Sequence, residues 1–394
     1  MTAKPTYPLL AFAFRPFFLL AGAYALVSVL AWMAFLFGGW PLPLGWSPLQ
    51  WHSHEMLYGF VSAAIAGFLL TAICNWTGNP PLQGGRLLGL ILLWLMGRIA
   101  LWLAGWLPAW LVATVDLLFL PVLTLYVLKV LLAHGNRRNL ILVAALSTLT
   151  LGNVFMHVGF GGGDIRWLQM GQGLGLDVIT LLMVVVAGRI TPAFSANWLR
   201  AQGGKPEWVT QSAWTARFAI ASVVLLLLLS AFSLPPAVEG AAALVAAAIN
   251  TLRLWQWAGW RVLREPLLWI LHLAYGWIVV ALWLRGFSGF NDGLLDTVWQ
   301  HTLALGGIGT LILGVMSRVA VGHTGRPLVL LPFGRLMYLF ITAATVLRVA
   351  AALQWLDYRL GVTLSAMLWV LAFALFLVLY TPVLVRPRAD GRPG

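Results

Sequence analysis

The chain alternates long apolar runs with short polar gaps, and almost nowhere shows the two-residue alternation of a half-buried strand. A helix needs about 20 apolar residues to cross a bilayer. By that measure the runs predict spans near Phe12–Phe37, Trp51–Ile73, Leu87–Leu107, Pro108–Leu132, Leu140–Phe160 and Trp167–Thr191. Six more follow near Ser212–Phe232, Pro236–Trp257, Leu267–Gly286, Leu294–Val321, Leu331–Trp355 and Gly361–Leu384. The third and fourth runs are divided only by Trp106-Leu107-Pro108, which predicts a tight hairpin. Ser195–Gln211 reads as the longest polar loop. The expected fold is an all-α, polytopic transmembrane bundle of about twelve spans, a single membrane domain over residues 1–394.

Composition agrees. Of 394 residues 61% are hydrophobic and 9% charged, against roughly 25% charged in soluble domains. So much apolar surface has no water-filled alternative to lipid. A net charge of +13 would suit nucleic acid, but the basic residues sit in the gaps between apolar runs and form no patches with interleaved aromatics. The expectation is therefore a lipid partner and no nucleic acid. Numbering the gaps alternately from the N-terminus leaves only Arg98, Arg166, Arg285, Arg348 and Arg359 on one side. Lys4, Arg15, Arg318 and all other Lys and Arg fall on the opposite side. The positive-inside rule then predicts that both termini are cytoplasmic. Met1–Pro8 is short and polar and gives no sign of a cleavable signal. The single cysteine, Cys74, excludes intrachain disulfides, thiolate zinc sites and iron–sulfur clusters, and no CxxCH is present for covalent haem.

An internal repeat runs through the pattern. With His54 set on His301, Gly59 falls on Gly306, Gly67 on Gly314, and Thr77-Gly78-x-Pro80 on Thr324-Gly325-x-Pro327. Pro8-Leu9-Leu10 matches Pro266-Leu267-Leu268, and Arg98-Ile99-Ala100 roughly matches Arg348-Val349-Ala350. Three four-helix units, approximately 8–135, 136–262 and 263–386, are the expected organisation, the middle one matching weakly.

Ionisable groups inside spans are functional suspects by default. The predicted topology puts His52, His54, His157 and His301 in the outer half, with Arg98, Arg348, Asp116, Asn153 and Tyr58. His54 and Tyr58 are four apart and share a helix face. His52 and His54 are about 200° apart around a helix, so they serve one metal only where His52 lies in a non-helical entry. Imidazole suits both haem iron and copper. Arg98 and Arg348 either meet propionates or pair with Asp116 and backbone carbonyls. On the cytoplasmic side fall Arg15, Asn75, Arg189, His272, Arg318 and His323. There His272 and His323 are expected either to share a metal or haem, or to bond backbone and shape the Gly322–Pro327 turn. His134 reads as solvated, and Asp177 as a proton relay or an arginine's partner. The glycine-lined faces at Gly59, Gly67, Gly171, Gly306 and Gly314 point to close helix packing, or else to a flat macrocycle lying against them.

Trp51-His52-Ser53-His54-Glu55-Met56-Leu57-Tyr58-Gly59, then Ala66–Ala72 and Asn75-Trp76-Thr77-Gly78, resemble the first signature of the NnrS family, as does Phe14-Arg15-Pro16-Phe17-Phe18. His301, Gly306–Gly309, Gly314-Val315-Met316-Ser317-Arg318 and Gly322-His323-Thr324-Gly325-Arg326-Pro327 resemble its other signature. The resemblance covers essentially the whole chain. It implies a bacterial inner-membrane protein of twelve spans that carries non-covalent, b-type haem and copper. It further implies that nitric oxide is bound or metabolised, with protection against nitrosative stress. If the chain is an enzyme, it is a nitric-oxide-converting oxidoreductase with an electron donor. The expected metal ligands are drawn from His52, His54, His157, His272, His301 and His323, with Arg15, Arg98, Arg318 and Arg348 toward cofactor carboxylates. A transporter of metal, haem or a small solute, and an accessory subunit of a respiratory complex, are the competing readings.

Overall fold

The computed structural model of the chain describes residues 7–40, 45–232, 234–291 and 295–392. Lys4 and Leu294, which enter the expected orientation and the expected start of the tenth span, lie outside the described residues. The chain is 81% helical, with no strand among the described residues. Among the described residues twelve helices are long and apolar enough to span a membrane. They are α1 Phe14–Gly38, α2 Pro48–Thr77, α3 Gly84–Trp102, α4 Ala109–Ala133, α5 Arg137–Phe160 and α6 Ile165–Ala201. The others are α7 Ala213–Ala231, α8 Pro236–Arg261, α9 Pro266–Ser288, α10 Asp296–Gly322, α11 Gly334–Ala352 and α12 Tyr358–Val385. The predicted α3–α4 hairpin is present, its turn closed by the bond from Leu107 N to Leu103 O at 3.1 Å.

One expectation is corrected. Residues 195–201 are not loop but the last turns of α6, which continues past Pro192 to Ala201. Proline removes one backbone bond and often kinks a helix, yet Leu199 is buried against Val209, Val262 and Leu268. That apolar contact keeps the polar-looking end helical.

The helices that carry His54 and His301 share an irregularity. In α2 regular helix runs over Pro48–His54 and gives way to a π-turn over Glu55–Phe60. In α10 it runs over Asp296–His301 and gives way to a π-turn over Thr302–Gly309. Each histidine is thus the last residue before the ladder widens. Single π-turns inside α-helices occur mostly at functional sites, because the extra residue re-aims the side chains around it.

Two compact units divide the chain. Unit 1 comprises Met1–Gly175, Met316–Val329 and Phe373–Gly394; unit 2 comprises Leu176–Val315 and Leu330–Ala372. In unit 1 the α1 aromatics Phe14, Phe17 and Phe18 are fully buried. Gly67 lets α2 approach them, since a Cβ there would stand 2.8 Å from the Phe18 ring. In unit 2 a Cβ on Gly306 would stand 2.7 Å from the Trp277 side chain, and one on Gly314 3.0 Å from Ile270. Packed side chains occupy the glycine faces, as in membrane helix interfaces generally.

Candidate metal centre

Four helices of unit 1 bring polar side chains to one buried point. The π-turn of α2 presents His54 and Glu55, α3 presents Arg98, α4 Asp116 and α5 Asn153 and His157. His54, Glu55, Asp116, Arg98, Asn153 and His157 are all buried. Asn153 and His157 are four apart on α5 and so share a face. Gly97 lets α3 close on α4: a Cβ there would stand 3.0 Å from Asp116 Oδ1.

Asp116 is the hub. Its Oδ2 lies 2.9 Å from His157 Nε2 and accepts from Asn153 Nδ2 at 2.9 Å. His54 Nε2 approaches the same oxygen at 3.3 Å and Asn153 Oδ1 at 2.7 Å. The other carboxylate oxygen takes Arg98 Nη2. Arg98 Nη1 also donates to Glu55 Oε1 at 2.6 Å, so one guanidinium ties both acids together. Glu55 Oε1 lies 2.8 Å from His54 Nδ1, and Glu55 Oε2 accepts from the Tyr24 hydroxyl. Tyr24 in turn accepts from Trp102 Nε1 at 3.1 Å.

This wiring has a chemical consequence. With Nδ1–H directed to Glu55, the lone pair of His54 Nε2 faces two acceptor oxygens. Acceptors that face each other need a proton or a metal cation between them. Two acids, Glu55 and Asp116, share the one guanidinium of Arg98 there. His54, Asp116 and His157 offer one ligand atom each, and these atoms all lie within 4.8 Å of one another. Two imidazoles and a carboxylate suit a transition-metal ion. A carboxylate behind the far nitrogen of a ligating histidine is the usual orienting contact of metal sites.

Trp46 covers the group. Its indole stands edge-on to His54 at 5.1 Å and to His157 at 5.3 Å, and stacks on Phe160. Gly45 (φ +62°) sets it there, pressed so close to the α3–α4 hairpin that a Cβ would stand 2.8 Å from Ala104 O. Gly45, Trp46, Ala104, Ala109, Val112, His157 and Phe160 line a recess of about 80 Å³. Pockets for drug-sized ligands are roughly 300–1,000 Å³. The recess therefore suits a water or a diatomic molecule and is far too small for a macrocycle, so the group fits a single ion and does not fit haem.

The other expected residues are placed as follows. His52 turns away from the centre and stacks on Trp32 at 4.7 Å, as its angular offset from His54 requires. Tyr58 packs against the His54 ring, but its hydroxyl donates to Gly171 O at 2.6 Å. In unit 2, His301 Nε2 accepts from Arg348 Nη2 at 3.1 Å. His272 Nε2 lies 2.9 Å from Ser195 Oγ, and its Nδ1 is buried without a hydrogen-bond partner among the described residues. Asp177 is an arginine's partner, paired with Arg285. In unit 1, Arg15 donates to Leu384 O at 2.7 Å and Arg386 O at 2.8 Å. His323 packs on Phe14, its carbonyl accepts from Arg388 Nη1 at 3.0 Å, and Arg318 lies on the same stretch of α10. His323 belongs to unit 1 and His272 to unit 2. His134 is exposed, its ring bonded to Val130 O at 2.9 Å.

Sequence reasoning named His54, His157, Arg98, Asp116 and Asn153 and missed Trp46. It also left Glu55 without a role, although its place beside His54 was the signal. Tyr24 carried none, being one tyrosine in an apolar run.

Twelve apolar helices, with a buried His–His–Asp group among those of unit 1, define a polytopic membrane protein with a metal-competent centre. The family described as NnrS protein matches residues 8–388, nearly the whole chain. The chain belongs to the NnrS family. Among curated proteins no match is found.

Proposed function

We propose that this chain is a metal-dependent membrane protein that binds or converts nitric oxide and so protects against nitrosative stress. The observation that carries the reading is the convergence of His54, His157 and Asp116, whose ligand atoms, one from each, all lie within 4.8 Å of one another in a buried group. The metal is copper, one of the two cofactors the family resemblance implies, and His54, His157 and Asp116 hold it. When bound, the ion supplies an open coordination position and, in a redox-active metal, an electron.

The protein's own part is positioning and exclusion. Glu55 fixes the tautomer and the plane of His54, with Tyr24 holding Glu55 from behind. Arg98 holds both acids in register. Trp46 and Phe160 shut out bulk water while the recess beside His157 leaves room for a diatomic ligand. Nitric oxide is small, neutral and lipid-soluble, so it reaches such a site from either bilayer or water. Conversion would draw on an electron donor. The Lys/Arg asymmetry of the gaps supports an outward His54 end, in the periplasmic half of a bacterial inner membrane, with both termini cytoplasmic.

The test is the absorption spectrum of purified, metal-loaded protein. Nitric oxide should change the bands of the metal centre, and the change should be missing from a His54→Ala/His157→Ala variant that retains its helix content. A spectrum indifferent to nitric oxide, or a response that persists in the double variant, would overturn the assignment.

A further inference from the structure

Arg98 and Arg348 fall at corresponding places of the internal repeat, each beside a histidine that precedes a π-turn. Their electrostatic surroundings are opposite. Arg98 meets two carboxylates, those of Glu55 and Asp116. Arg348 meets none among the described residues. Where Glu55 follows His54, Thr302 follows His301, and its hydroxyl is spent on Val298 O at 2.8 Å.

Arg348 is 8% exposed, and its Nη1 is buried with no hydrogen-bond partner among the described residues. Its Nη2 donates to His301 Nε2 at 3.1 Å. A guanidinium can only donate, so that ring nitrogen accepts, and the ring proton sits on Nδ1, 2.8 Å from Thr297 O. This bonding leaves His301 neutral and the pair with one net positive charge. The Tyr358 ring lies 5.9 Å from the guanidinium carbon and offers only its π-face. A buried arginine in a membrane helix pairs with an acid or with carbonyls, or marks a ligand path. Arg253 and Arg15 take backbone carbonyls; Arg348 takes no carbonyl among the described residues.

We propose that Arg348, with His301, is a binding site for an anionic oxygen ligand, a carboxylate or small oxyanion accepted by Nη1. In unit 1 the corresponding arginine meets two acids; this one meets none among the described residues and takes an anion. The proposal does not depend on the metal reading above. Two sources share the chemistry, namely the carboxylate of a molecule that co-purifies with the protein and a free anion from the aqueous phase.

The experiment measures the thermal unfolding midpoint of the full-length purified protein against sodium acetate, at constant ionic strength with a bulky sulfonate as balancing anion. Native mass spectrometry of the same sample runs alongside. A free-anion site gives a saturable rise of the midpoint in the wild type and a flat response in Arg348→Met. A resident ligand gives a wild type indifferent to acetate, with loss of a carboxylate-bearing mass and a lowered midpoint in Arg348→Met. Thr302→Glu supplies an internal carboxylate at the repeat position and should abolish either signal while the protein stays folded, which covers the case in which Arg348→Met does not fold. If the wild type ignores acetate and Arg348→Met loses no mass and unfolds at the same or a higher temperature, the arginine merely snorkels to water and the proposal fails.

Discussion

His54 Nδ1 lies 2.8 Å from Glu55 Oε1, a contact between sequence neighbours that a regular helix would hold apart and the π-turn permits. It fixes which nitrogen of His54 is left to face Asp116. Replacing Glu55 by Gln keeps the shape but removes the carboxyl group that orients the ring. Loss of an outer-shell partner commonly costs 10–100-fold in metal affinity, roughly. Competition with a chelator should show a drop of that order, with helix content unchanged.

Asp116 carries a structural as well as a ligand role. Asp116→Ala would strip Arg98 of one carboxylate and leave Asn153 and His157 without their shared acceptor. Breaking a buried ion pair by removing one partner costs about 3–5 kcal/mol. Chemical unfolding in detergent should show destabilisation of that order, together with loss of the metal.

Trp46 should govern access rather than binding. Trp46→Ala is expected to leave metal stoichiometry intact while speeding removal of the metal by a bulky chelator. In the metal-free protein the same substitution should expose His157 to diethylpyrocarbonate, read by peptide mass spectrometry. Equal labelling of His157 in wild type and variant would show that the indole shields nothing.

His323 lies just beyond α10, where burial first and the nearby Arg388 second hold its imidazole below the ordinary value. An unfolded histidine titrates near 6.5, roughly. Below that pH the unfolded chain takes a proton that the folded chain refuses, so this contribution is intact above the unfolded value and is lost as pH falls toward the folded one. His323→Gln should flatten the decline of stability with acidification just below neutral pH. A slope identical to that of the wild type would mean that other groups cause it.

The twelve spans were legible because a bilayer imposes one length on every helix, and the amino acids between them had little freedom to mislead. The His54, His157, Arg98 and Asp116 grouping was legible for a related reason: charged groups in lipid must find each other. The detailed wiring was not. It depends on the π-turn of Glu55–Phe60, which no periodicity announces and which turns Tyr58 toward Gly171 O. The cover of Trp46 depends on a loop pinned by Gly45, one tryptophan among many. The end of α6 was misread because Ala196, Trp198 and Leu199 are scattered among polar residues, and only the partners Val209, Val262 and Leu268 make Leu199 decisive.

The central claim is that His54, Asp116 and His157 hold a metal ion, and elemental analysis of purified protein tests it most directly. Wild type and a His54→Ala/His157→Ala variant of equal helix content should be compared per mole of chain. The account predicts that the variant loses one equivalent of metal. Equal metal content in the two proteins would contradict it.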